Sequence, residues 1–62
     1  MGKEFYNEGM KGKRVLITAK NNFYFHMLGT VVEEYQYSVT VEFHYSNRSE
    51  KVRFYKNQVK EV

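Results

Sequence analysis

A chain of 62 residues supports one small domain, and its 42% hydrophobic content has to supply the whole core. Cys and Asp are both missing, which excludes disulfide staples and thiolate metal sites and removes one of the two carboxylates used in acid–base catalysis. The formal charge of +3 points toward an acidic or polyanionic partner, and no apolar run approaches a signal peptide or a membrane span. The expected setting is therefore the cytoplasm, with no membrane contact.

Residues 1–10 show no hydrophobic period and read as an N-terminal arm, with a barrel over 11–62. The pair Lys11-Gly12 opens the first regular element. From Lys13 to Ala19, Val15, Ile17 and Ala19 share one face while Arg14, Leu16 and Thr18 share the other, which predicts a half-buried strand. Lys20-Asn21-Asn22 marks a turn, and Phe23-Tyr24-Phe25 follows as a loop of consecutive rings. An extended segment cannot bury three neighbouring rings on one side, so at least one must be exposed or partly so, and the expectation falls on Tyr24.

Met27 to Glu34 is a second strand rich in Val. Its period is broken, and Gly29 is the expected place for a bulge or a close backbone approach. Ser38 to Tyr45 alternates cleanly, with Val39, Val41 and Phe43 inward. After the loop Ser46–Ser49, Glu50 to Tyr55 returns with Val52 and Phe54 inward. The expected register sets Phe43 against Val52, Val41 against Phe54, and Glu42 against Arg53. Lys56-Asn57-Gln58 suits a short 3-10 turn, and Val59 to Val62 a last strand. Five short strands without a helical period predict an all-β, five-stranded, strongly bent barrel.

The segments KGKRVLITAK, FYFHM, LGTVVEEY, YSVTVEF and FYKNQVKEV resemble the SH3-like small barrels. Within them the similarity is to KOW-type domains and to the small peripheral subunit of photosystem I. This resemblance, over Lys11 to Val62, implies a single SH3-like barrel that acts as a binding platform. KOW-type domains often bind RNA, DNA or the ribosomal and transcription machinery.

Catalytic chemistry finds no support. Glu33 and Glu34 are strand neighbours whose side chains point to opposite faces, so they cannot act together on one substrate. His26 and His44 have no third ligand at a metal-binding spacing, and no phosphate loop is present. No cofactor or enzyme activity is expected. Two features remain: basic blocks over residues 11–20 and 51–62 around an acidic middle, and eleven Phe and Tyr residues. If the first and last strands are neighbours, their cations pool beside exposed rings.

Two functions follow from that arrangement. The first is weak, largely sequence-independent nucleic-acid binding, with Lys11, Lys13, Arg14, Lys20, Lys51 and Lys56 toward phosphates and Tyr24, Tyr37 and Tyr55 stacking on bases. The second is a protein-docking adaptor or small regulatory subunit that meets an acidic protein through the same residues. Either is compatible with a monomer or a weak homodimer.

Overall fold

The computed structural model describes residues 9–62, and within them the alternating segments are indeed strands. They are β1 (Arg14–Ile17), β2 (Leu28–Glu34), β3 (Ser38–His44), β4 (Ser49–Tyr55) and β5 (Val59–Glu61). A 3-10 turn over Lys56–Gln58 sits before β5. Every pairing is antiparallel, in one sheet of order β4-β3-β2-β1-β5. The fold is all-β as expected. Most of the arm, residues 1–8, lies outside the described residues. Its last residue, Met10, packs on the core and accepts the Lys13 N–H through its carbonyl at 3.0 Å.

The inward positions explain why the sheet curls. Val15, Ile17, Val31, Val39, Val41, Phe43, Phe54 and Val59 form one buried cluster to which all five strands contribute. A flat sheet could not bring β4 and β5 residues to the same cluster. Burial of each such side chain contributes roughly 1.5–3 kcal/mol, the main offset to the entropy of ordering so short a chain. Among the described residues, β4 and β5 form no ladder with each other, so the curl is held by packing rather than by a closed ring of hydrogen bonds.

Two expected registers are corrected. The β3–β4 ladder pairs Val41 with Val52, Phe43 with Glu50, and Glu42 with Lys51, two residues displaced from the expected alignment. The displacement tightens the turn, because the Tyr45 N–H reaches the Arg48 carbonyl at 2.7 Å and closes the loop on Ser46 and Asn47. An even shift preserves the faces, so Phe43, Val52 and Phe54 still point inward while Arg53 loses Glu42 as its neighbour. The irregularity in β2 falls between Val31 and Glu33, not at Gly29, leaving Val32 as the extra residue opposite Thr40.

Gly29 takes the second of its two expected tasks, the close approach of backbone to core. A Cβ there would press on Val41 Cγ1 and lie 3.0 Å from the Glu42 carbonyl oxygen and 3.1 Å from Phe43 Cδ1. All three neighbours belong to β3, so relief would require moving a central strand. Gly29→Ala should therefore destabilise the protein by about 1–3 kcal/mol despite the lower backbone entropy of Ala. A urea unfolding midpoint equal to or above wild type would contradict this close approach.

Candidate functional site

The ring loop between β1 and β2 is built by short local bonds. The Asn22 N–H donates to the Ala19 carbonyl (3.1 Å), the Phe25 N–H to Asn22 (3.0 Å), and the Met27 N–H to Tyr24 (2.9 Å). His26 closes the loop with φ at 72°, in the left-handed region, and its N–H donates to the Ile17 carbonyl at 2.8 Å. Its ring stacks on Phe25, with centroids 3.9 Å apart. Phe23, 86% exposed, is the outward ring.

Tyr24 is partly buried, within the expectation, while Phe23 takes the fully outward position. The Tyr24 ring stacks on Phe43 at 4.8 Å and meets Phe54 edge-on at 5.9 Å. The reason is Glu50, which the strand's alternation places on the inner side with Val52 and Phe54. That half-buried carboxylate needs donors, and phenols supply them. The Tyr24 hydroxyl donates to Glu50 Oε2 at 2.6 Å and the Tyr45 hydroxyl to Oε1 at 3.2 Å. Arg48 lies 3.8 Å from the same carboxylate, and its guanidinium sits 4.4 Å over the Tyr45 ring. A Phe at position 24 would fill the space and leave one Glu50 oxygen without that donor.

The second ring cluster gathers at the opposite end of the sheet, where β2 ends, β3 begins and β4 ends. Tyr37 is 72% exposed and Tyr55 66% exposed. The backbone joins their neighbourhoods: Ser38 is registered with Tyr55, and the Lys56 N–H donates to the Tyr37 carbonyl at 2.9 Å. Tyr55 separates two grooves. One, of about 430 Å³, is lined by Ser38, Arg53, Phe54, Tyr55 and Gln58; the other, of about 310 Å³, by Gln36, Tyr37, Tyr55, Lys56 and Asn57. Arg53, released from Glu42, holds its guanidinium 4.1 Å over the Tyr35 ring. Arg53 is outward, as its strand parity predicts, but it was no candidate site residue because its expected register gave it an acidic partner.

The basic residues are less pooled than their sequence grouping implies. β1 and β5 are neighbours as anticipated, with Leu16 opposite Lys60. Yet Lys13 lies 3.5 Å from Glu61, and Lys56 Nζ donates to Glu34 Oε2 at 2.9 Å. Glu34 is only 7% exposed in its side chain, and its other oxygen accepts the Met10 N–H at 3.3 Å. Lys56 is thus committed to tying the 3-10 turn to the end of β2. The Lys13–Glu61 pair is half exposed and contributes about 0–1 kcal/mol. Lys51 is registered opposite Glu42. Lys11, Arg14 and Lys20 are exposed, and Lys20 follows Thr18, whose N–H donates to the Gln58 carbonyl at 2.8 Å, in the turn after β1.

Of the nine predicted site residues, the structure therefore brings together Tyr37, Tyr55 and Lys56, with Lys51 farther along β4. It packs Tyr24, partly buried, against the core and spreads Lys11, Lys13, Arg14 and Lys20 along β1 and its flanking turns. Among the described residues, no three His, Cys, Asp or Glu side chains are placed to hold a metal. No described helix is long and apolar enough to cross a membrane.

The Glu50 cluster makes its own prediction. Tyr24's phenol is raised above its ordinary value by the hydrogen bond to Glu50, then by burial and the carboxylate's charge; Tyr45 is raised first by burial, then by the same acceptor. A group whose pKa rises on folding contributes fully below the unfolded value, near 10 for a phenol, and loses that contribution as pH climbs through the folded value. The urea midpoint of wild type should therefore fall more steeply above about pH 10 than that of a Tyr24→Phe/Tyr45→Phe variant. Parallel alkaline slopes would remove the cluster's role.

No family model matches this chain, and comparison with the curated proteins finds no similar sequence.

Proposed function

We propose that this chain is a non-catalytic binding module of SH3-like small-barrel architecture that docks an acidic protein partner through the end carrying Tyr37 and Tyr55. The observation that carries the reading is the adjacency of two exposed phenols, each beside a groove, to a guanidinium already seated on Tyr35. Tyr and Arg dominate interface hot spots because they bring a large apolar area and a polar tip at little entropic cost. The strand order, the 3-10 turn before β5 and the shared core support the barrel architecture. The outward side chains of β4 are Ser49, Lys51, Arg53 and Tyr55, with no carboxylate among them, and Glu42, registered opposite Lys51, lies 3.6 Å from His44 Nε2, so the strand suits a partner that supplies the acids.

Nucleic-acid binding is the second reading, and one observation favours it. Lys11, Arg14, Lys20 and Lys60 form no ion pair among the described residues, which leaves their charge available to phosphates. Against it, Lys13 and Lys56 each meet a glutamate.

One comparison separates the two. The immobilised chain is exposed to nuclease-treated extract, and the retained protein is identified and titrated in purified form. Tyr37→Ala and Tyr55→Ala should each cost about 2 kcal/mol or more, about thirtyfold in affinity, without moving the unfolding midpoint. If labelled oligonucleotides bind instead, with log-linear loss in salt and sensitivity to Lys11→Ala, Arg14→Ala and Lys20→Ala but not to the Tyr variants, the nucleic-acid reading replaces docking.

A further inference from the structure

We infer that the partner contributes an acidic, extended segment that adds to the open edge of β4 as a further strand, its carboxylates beside Lys51 and Arg53. This rests on the docking reading above and supplies its mode of recognition.

The backbone makes the edge available. β4 ends the sheet, and its pairing with β3 runs unbroken from Ser38–Tyr55 to His44–Ser49. Hydrogen bonds flank that ladder, from the Lys56 N–H to Tyr37 and from the Tyr45 N–H to Arg48. Antiparallel alternation then commits the backbone groups of Glu50, Val52 and Phe54 to β3 and turns those of Ser49, Lys51, Arg53 and Tyr55 away from the sheet. Tyr55 fits this rule, since its N–H finds the Gln58 side-chain oxygen at 2.8 Å instead of a strand. Among the described residues, the N–H and C=O groups of Ser49, Lys51 and Arg53 remain as a row of donors and acceptors without a strand partner.

The side chains select the occupant. Lys51 and Arg53 are exposed on the outer face, and lysine on an edge strand ordinarily guards against pairing with other chains. A second copy of this chain, docked antiparallel about Val52, would set Lys51 against Arg53 of its neighbour, a repulsion that disfavours self-association. An acidic strand turns the guard into a selector. Val52 lies between the two cations and faces inward, half-buried on the core, with Glu50 on the same side. The added strand should therefore alternate, acids outward and apolar residues beside Val52, because an inward acid would meet Glu50. Where the strand ends, the groove lined by Arg53, Phe54, Tyr55 and Gln58 leaves room for one further side chain.

The test uses the isotopically labelled full chain and two peptides of about eight residues, one alternating Glu with Val and one alternating Lys with Val. With the Glu peptide at about ten times its dissociation constant, amide exchange at Lys51 and Arg53 should slow about tenfold, and the Lys peptide should have no effect. A synthetic chain N-methylated at Lys51 keeps the side chain and the β3 ladder but loses one outward donor, and its Glu-peptide affinity should fall about tenfold. Should that chain fail to fold, a Lys51→Glu/Arg53→Glu variant should reverse the peptide preference. Equal protection by both peptides, or protection without peptide that grows with protein concentration, would overturn the inference. Resonance shifts confined to Tyr37 and Tyr55 with unchanged β4 exchange would also overturn strand addition while leaving tyrosine docking intact. Protection of β4 that survives Tyr37→Ala and Tyr55→Ala would support strand addition and count against tyrosine docking.

Discussion

A carboxylate on the core-facing side of a small sheet has to find donors, and the Glu50 side chain organises much of this molecule by doing so. Its two oxygens draw in Tyr24 from the ring loop and Tyr45 from the end of β3, and Tyr24 in turn lies flat on Phe43. One residue thereby fastens the β1–β2 loop across the sheet to β4, a connection that no backbone ladder provides. At the other end Glu34 plays the matching part, holding Lys56 and the Met10 N–H. Two inward glutamates secure the two ends of a core made almost entirely of Val and Phe.

These anchors also decide which aromatic residues remain for a partner. Tyr24 and Tyr45 are taken up by Glu50, and Phe43 and Phe54 by the core, while Tyr35 carries Arg53. Tyr37 and Tyr55 are left at the grooved end, and Phe23 stands exposed in the ring loop, edge-on to Tyr24 at 5.0 Å. The division is one of hydrogen-bond satisfaction rather than of hydrophobicity. Phenols near an inward acid become structural, and phenols beyond its reach become surface.

Strand positions and inward faces could be read from the chain, because period-two alternation survives any even change of register. That is why Val39, Val41, Phe43, Val52 and Phe54 face inward as expected although the hairpin is displaced by two residues. The displacement itself was not legible, since it depends on which turn closes best, a preference that two plausible loop lengths leave open. The stacking of Tyr24 on the core is illegible for a related reason. Its burial follows from Glu50, and Glu50's inward parity was already implied by that of Val52 and Phe54. Local charge blocks were a poor guide to the surface, because partners such as Glu34 and Glu61 lie far from Lys56 and Lys13 in sequence.

His26 carries a consequence for how this chain tolerates change. What its position demands is a backbone in the left-handed region with an N–H aimed at Ile17, while the imidazole itself is exposed beside Phe25. Selection at this codon acts on the main chain more than on the ring. Gly, Asn and Asp enter that conformation readily, whereas Val, Ile and Thr pay a steric penalty there. Drift among homologous chains should accordingly run toward small amide or hydrogen side groups, with imidazole chemistry dispensable.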